Sequence, residues 1–324
     1  MNRLRYVLLG CGVTLFGLLL ARIGPQPIVD AFARLSWSVL LIVWFPFALI
    51  NICDTLGWQF AFPRQRVPFR ALFMARLAGE AFNATTPGAS LGGEPIKAAL
   101  IRHHIDYHES AASLVVAKTT ITISQVLFLA GGLLLAPRGG VDPLLFHALL
   151  VALVVEALAT TGFVVAQTTR LLGVFGAIST RLGLTELADG SVTAHNAIKR
   201  YYRGHPGSLA LSIGFHFLGW VLSAVETYMI VRLLGVPISL PMAIGIEAAG
   251  TAIRFASFFV PAHIGALEGG NVATFVAFGL EAATGLSFTL VRRLRELVWV
   301  GAGFLLVLYR DKPIVKAPSL EAGA

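Results

Sequence analysis

Long uninterrupted apolar runs organise this chain. Six segments are apolar over roughly the 20 residues a helix needs to cross a bilayer: 6–22, 38–62, 111–136, 143–167, 208–234 and 284–309. Their continuity argues against a membrane β-barrel, whose strands alternate over about 10 residues. Two further stretches, 69–101 and 241–282, are apolar but broken. The first contains Pro87, Gly88, Gly92 and Gly93 just before Glu94, and the second Pro261 and Gly265 just before Glu268. A break at bilayer depth frees backbone polar groups and is tolerated only when buried in protein or lining a wet cavity. Each stretch is long enough for two half-helices, so both are predicted as re-entrant hairpins. The predicted fold is an all-α polytopic membrane protein with six spanning helices and two re-entrant hairpins.

Composition sharpens this reading. Of 324 residues, 56% are hydrophobic and 13% charged, and the mean hydropathy is +0.77. Soluble domains carry about 25% charged residues, and a chain of this size has too little interior to hide the apolar excess. Disorder is excluded on the same ground. Cys11 and Cys53, both inside apolar runs, exclude a disulfide-stapled domain. The segment 6–22 follows Arg3 and Arg5 but lacks a small-residue cleavage pattern, so it reads as a retained anchor.

The net charge of +8 is distributed unevenly. With the N-terminus cytoplasmic, fourteen bases lie on the cytoplasmic side: Arg3, Arg5, Arg64, Arg66, Arg70, Arg102, Arg170, Arg181, Lys199, Arg200, Arg203, Arg310, Lys312 and Lys316. Four lie opposite: Arg22, Arg34, Arg138 and Arg232. The positive-inside rule therefore predicts both termini in the cytoplasm. No nucleic-acid partner is needed to account for the basic excess.

The chain reads as one transmembrane domain, 1–324. Residues 1–136 and 143–309 each run span, span, hairpin, span, joined by a short outer loop, with a basic cytoplasmic loop at 168–206 inside the second half. Three spans per half make the second half inverted, an arrangement that recurs in transporters with broken helices at the midplane. An offset of 174 maps Pro87 onto Pro261, Glu94 onto Glu268, Lys118 onto Arg292 and Glu80 onto Arg254.

Charges at apparent membrane depth supply the candidate chemistry. Seven are bases (Arg76, Lys97, Lys118, Arg254, Arg292, Arg293, Arg295) and eight are acids (Asp54, Glu80, Glu94, Glu156, Glu226, Glu247, Glu268, Glu296). One such charge at a helix centre costs about 2.5–3.5 kcal/mol on insertion scales. The groups must pair, meet water or bind something charged. Arg292 and Arg295 share a helix face and Arg293 points elsewhere, while the i,i+4 spacing would let Arg292 neutralise Glu296. Arginine holds phosphate in bidentate geometry and stays charged at depth. A cavity lined by Lys118, Arg254 and Arg292 would suit an anionic headgroup, with Glu94 and Glu268 organising the turns or carrying a proton. His103, His104, His108 and Glu109 lack the spacing of a zinc site and read as surface residues. No P-loop, nucleophile elbow or dinucleotide fingerprint is present, and no metal or cofactor is expected.

The run from Pro87 to Lys97 and the run from Pro261 to Glu268 resemble the paired signatures of the transmembrane domain of lysylphosphatidylglycerol synthases and their stand-alone flippase-like relatives. Phe258 through Gly270, followed by Leu290 through Leu297, is most similar to the hopanoid-biosynthesis-associated branch. Lys97 stands where the family usually has arginine, and Ala262-His263 replaces a common Gly-Gly. The resemblance implies a bacterial inner-membrane protein that moves a lipid between leaflets, with lipid-biosynthesis enzymes as possible partners and no aminoacyl transfer of its own. Glu94, Lys97, Lys118, Arg254, Glu268, Arg292 and Arg295 are the expected substrate-binding residues. The rival readings are a non-transporting partner or intramembrane enzyme of lipid biosynthesis, and a secondary transporter of small solutes or ions.

Overall fold

The computed structural model describes residues 38–62, 67–85, 92–135, 142–169 and 196–308, with single positions at Thr14, Ala21, Gln26 and Val29. The expected span 6–22 and most of the basic loop lie outside the described residues, as do Pro87 and Gly88. What is described is helical. The helices are α1 (Ser38–Phe60), α2 (Phe69–Thr85), α3 (Glu94–Ile101), α4 (Tyr107–Leu135), α5 (Pro143–Thr168), α6 (Pro206–Leu233), α7 (Leu240–Ala256), α8 (Ala266–Ala277) and α9 (Ala282–Leu308). A short helical segment at 196–204 precedes α6.

Local signals in the chain set several of these ends. Asp142 caps α5, its Oδ1 accepting from the Leu144 amide at 2.7 Å, and Pro143 opens the first turn. Ser239 caps α7 by accepting from the Met242 amide. Three helices, α4, α5 and α6, are long and apolar enough to cross a membrane. The 27-residue α9 is as long but carries Arg292, Arg293, Arg295 and Glu296, and α1 has 23 residues.

Both broken stretches fold as a 17-residue arm, a break and a shorter helix: α2 with α3, and α7 with α8. Each long arm packs on a long helix of the other half, α2 on α9 and α7 on α4. The contacts correspond. Gly303 on α9 lies against the Leu77 carbonyl, and Gly132 on α4 lies against Ala248. A shift of 171 positions carries Leu77 onto Ala248 and Gly132 onto Gly303, and it carries α2 (69–85) onto α7 (240–256). The arm boundaries and this contact therefore correspond at 171 positions, whereas the acids and prolines at the breaks correspond at 174.

Small and hydroxyl residues mark the close helix–helix contacts. α1 packs along α6, where Gly57 meets the His216 ring and Gly219 meets the Asp54 carboxylate. Ser212 Oγ donates to the Gly57 carbonyl at 2.7 Å, and Ser124 Oγ to the Ile213 carbonyl at 2.8 Å. In an apolar solvent, close backbone approach and interhelical hydrogen bonds hold helices together, because lipid tails are as apolar as leucine. Large apolar side chains fill the core, among them Phe62, Ile230, Phe275 and Phe288, and others face outward, among them Leu144, Val151, Leu158 and Leu297.

The second break stores strain. Ala262 and His263 have φ of 49° and 52°, the left-handed region that disfavours residues with a Cβ by about 1–2 kcal/mol each. These positions hold Ala-His where the resembling family has Gly-Gly. A hydrogen bond between His263 Nδ1 and Ser257 Oγ (2.8 Å) offsets part of the strain at His263; Ala262 has no such group. Ala262→Gly is therefore expected to raise stability by about 0.5–1 kcal/mol after the extra freedom of the unfolded glycine is counted. The midpoint of thermal unfolding in detergent checks this.

A candidate anion site between two broken helices

The first break is closed by contact. Gly93 sits in ordinary helical geometry (φ −85°), but a Cβ there would lie 1.9 Å from the Gly79 carbonyl oxygen. Asn83 Oδ1 accepts from the Gly93 amide at 2.7 Å and ties the end of α2 to the start of α3. The second break is closed by its own acid. Gly265 has φ 78°, and its amide donates to Glu268 Oε2 at 2.7 Å, so Glu268 caps the helix it begins.

Between α2 and the second break lies a cavity of about 280 Å³. Its walls come from α1 (Phe47, Asn51), α2 (Arg76 to Ala84), the second break (Phe258 to His263), α8 (Leu267, Asn271) and α9 (Thr289 to Val300). Five guanidiniums line it, those of Arg76, Arg254, Arg292, Arg293 and Arg295, against the carboxylates of Glu80 and Glu296. The Arg295 guanidinium also stacks 3.9 Å over the Phe47 ring.

Behind the wall the arginines are anchored. Arg292 Nη1 donates to Glu247 Oε2 at 2.8 Å, and its Nη2 to Ser223 Oγ at 2.8 Å and Glu226 Oε2 at 3.2 Å. Arg295 also donates to Glu226 Oε2. Glu247 receives further bonds from Ser223 Oγ (2.9 Å) and Thr227 Oγ1 (2.7 Å). Glu226 and Glu247 are fully buried. Arg254 is held differently. It is 3.6 Å from Glu247, beyond a hydrogen bond, its Nη1 has no hydrogen-bond partner, and its side chain is 29% exposed. Three guanidiniums thus share two carboxylates, and the outermost is hydrogen-bonded to neither.

Arg293 faces the other way, its Nε donating to Glu268 Oε1 at 2.9 Å and its Nη1 to Glu296 Oε2 at 3.2 Å. The expected Arg292–Glu296 pair is therefore not formed. Arg292 faces two buried carboxylates in a medium of low dielectric, and their pull exceeds that of the 44%-exposed Glu296. The helical-face expectation holds: Arg292 and Arg295 converge on Glu226, and Arg293 diverges.

Lys118 does not join Arg254 and Arg292 in this cavity. It pairs with Glu94 at 3.2 Å, and Lys97 bridges Glu94 (3.0 Å) and Glu80 (2.7 Å). The first half satisfies its own acids with its own lysines, so Lys118 is drawn to α3 rather than across the molecule. Glu94 and Glu268 play parallel parts, each opening the short helix after a break and each paired to a base on the next long helix. The partner of Glu268 is Arg293, one residue past the position the 174 offset picks.

Sequence reasoning marked Arg76, Glu80, Glu226 and Glu247 as charges at depth without assigning them to the site. A period-of-four reading of α7 would have placed Glu247, Thr251 and Arg254 along one face. The pairing across to α6 leaves no trace along the chain. Asn51, Asn83 and Asn271, which also line the cavity, carry no distinguishing sequence signal.

Comparison with known proteins agrees with this architecture. Residues 6–303 match the family model described as the lysylphosphatidylglycerol synthase TM region. A UPF0104 membrane protein of Methanothermobacter thermautotrophicus is 24% identical over 317 residues, covering 89% of this chain and 90% of that protein. A UPF0104 membrane protein of Pyrococcus horikoshii is 24% identical over 340 residues, covering 97% of this chain and 99% of that protein. Both relatives are archaeal, so the family is not confined to bacteria. No solved structure matches the chain. With helices throughout the described residues, three of them apolar and long enough to span, and a match over nearly its whole length, the chain is a membrane protein that belongs to the lysylphosphatidylglycerol synthase transmembrane-region family.

Proposed function

We propose that this protein is a lipid translocase that carries an amphiphile with an anionic headgroup between leaflets. The observation that carries the reading is the cavity between α2 and the second break, with five guanidiniums in its wall, of which that of Arg254 is the most exposed. A phosphate or similar group would find donors there without displacing the Arg292–Glu247 pair. On the far side of the same two helices, Ile253, Ala256, Gly270 and Ala273 line an apolar groove of about 580 Å³ shared with α5. It would suit an acyl or polycyclic tail. Hopanoid- or isoprenoid-related lipids and anionic phospholipids are the classes to offer first. The matched arms α2 and α7, each packed on the other half, support an inverted repeat whose halves rock about the cavity to alternate access. The charge asymmetry supports an orientation with both termini on the cytoplasmic side.

The test is leaflet translocation by the purified protein in liposomes, with labelled anionic, aminoacylated, polyprenyl-phosphate and hopanoid lipids. Arg254→Gln is the informative variant, because Arg254 is the least committed of the five arginines. Translocation of one class is expected to fall at least about tenfold, equivalent to about 1.4 kcal/mol, at an unchanged melting midpoint. If the folded protein moves none of these lipids, the transport reading fails and a role as a non-transporting partner in lipid biosynthesis takes its place.

A further inference from the structure

α5 has a polar inside. Its exposed faces carry leucine and valine, and the residues it buries are Leu149, Glu156, Thr160 and Gln167. The three polar ones fall at i, i+4 and i+11, along one helix face. That face meets α4. At one end, Gln167 Nε2 donates to Thr119 Oγ1 at 2.9 Å, and Gln167 Oε1 accepts from the Tyr202 hydroxyl at 2.7 Å. Tyr202 belongs to the 196–204 segment, on the side the charge pattern assigns to the cytoplasm; its phenol is pushed up by burial and so stays a donor. At the other end Glu156 is fully buried. Gln125 Nε2 reaches its Oε1 at 3.3 Å, while its Oε2 and the Thr160 Oγ1 one turn away have no partner.

Every other acid that the sequence places at depth has a base beside it; Glu156 has none among the described residues. On α4 the neighbour is the neutral Gln125. Lys118 is two turns along, about 10 Å away by helical rise, and is bound to Glu94. On α7, which also packs on α5, Glu247 and Arg254 turn toward Arg292 and the central cavity. A buried carboxylate with no cation carries a desolvation penalty that a neutral carboxyl avoids. An unpaired ionisable group on a spanning helix is retained for a purpose.

We propose that Glu156 is a proton-binding site, loaded from the Tyr202 end of a polar seam along the α4–α5 interface, in which Tyr202, Gln167 and Thr119 are hydrogen-bonded and the interval of about 10 Å from Gln167 to Thr160 is crossed by water. The ligand is the proton itself. One O–H bond forms at the carboxylate when it arrives from water at the Tyr202 end and breaks when it leaves, with no other reagent. The site is separate from the arginine-lined cavity and does not depend on the identity of any lipid.

The test is labelling of the full-length protein in liposomes with dicyclohexylcarbodiimide, which modifies protonated carboxyls in apolar surroundings, across a pH series. Peptide mass spectrometry should find the adduct on Glu156 and not on the ion-paired Glu226 or Glu247. Its rate should fall about tenfold per pH unit above the midpoint and vanish in Glu156→Gln. No adduct at Glu156, or a rate indifferent to pH, would overturn the site. The seam is tested by hydrogen–deuterium exchange of the protonated-carboxyl infrared band, assigned by difference from Glu156→Gln. Thr160→Val with Gln167→Leu should slow that exchange at least tenfold; an unchanged rate overturns the seam. The labelling result on the unaltered protein stands even if a variant misfolds.

Discussion

Arg292→Met is expected to destabilise the protein by about 3–5 kcal/mol. The substitution keeps most of the apolar stem and removes the guanidinium that satisfies Glu247 at 2.8 Å and Glu226 at 3.2 Å. Both carboxylates are fully buried, and stranding a buried charge by removing its partner carries a penalty of this size. Arg295 and Arg254 remain, but Arg254 stands 3.6 Å from Glu247 and makes no hydrogen bond to it. The thermal unfolding midpoint in detergent reads the loss. A second variant isolates its cause. In Arg292→Met with Glu247→Gln the stranded charge is itself removed, so the pair should lose at least about 1 kcal/mol less than the sum of the single substitutions. Strict additivity would show that Arg292 stabilises by packing alone. Loss of transport in an Arg292 variant therefore says little about substrate binding, which is why Arg254 carries the functional test.

Gly93→Ala is expected to be the most damaging single methyl in the described chain. The new Cβ would lie 1.9 Å from the Gly79 carbonyl oxygen and 2.6 Å from its carbon, and those atoms are backbone, which cannot rotate away. Overpacking a tight contact costs about 1–3 kcal/mol, and more when backbone must move. The two backbones would have to part by about 1.5 Å to restore ordinary contact. That displacement would stretch the Asn83–Gly93 hydrogen bond and the Lys97 bridge between Glu80 and Glu94. We expect a destabilisation of about 3 kcal/mol or more. Gly79→Ala is the control. Its Cβ would meet the Lys97 side chain at 2.4 Å and the Gly93 carbonyl at 3.0 Å, and a lysine stem can shift. A smaller loss for Gly79→Ala than for Gly93→Ala in the same unfolding assay supports backbone contact as the reason for glycine; the reverse order would refute it.

The helices themselves were legible. The runs 143–167 and 208–234 foretell α5 and α6 to within a residue or two, because a bilayer demands apolar length and leaves little else to vary. The two interrupted stretches were equally plain, since proline and glycine rarely gather inside an apolar run without a break. Partners were not legible. Nothing in the spacing of Arg292 and Glu296 shows that Glu226 and Glu247, far away in the chain, will outbid the nearer acid. The 174 offset found the break motifs but missed the 171 shift of the arms, because the arms match in packing glycines and length more than in identity. Glu156 shows the same limit from the other side. Its position at depth was visible, yet only the absence of a base beside it among the described residues distinguishes it from Glu226.

The sequence by itself determined the solvent of this protein, the length and order of its helices, the places where two of them break, and the sign of the charges brought to depth. These follow from local composition, which lipid and backbone chemistry read residue by residue. The tertiary structure alone decided which charges neutralise one another, which guanidinium is left most exposed at the cavity, and which carboxyl stands without a cation among the described residues. Those outcomes depend on distances between helices remote in the chain, and in a low-dielectric interior a difference of about 1 Å decides which charge pair forms.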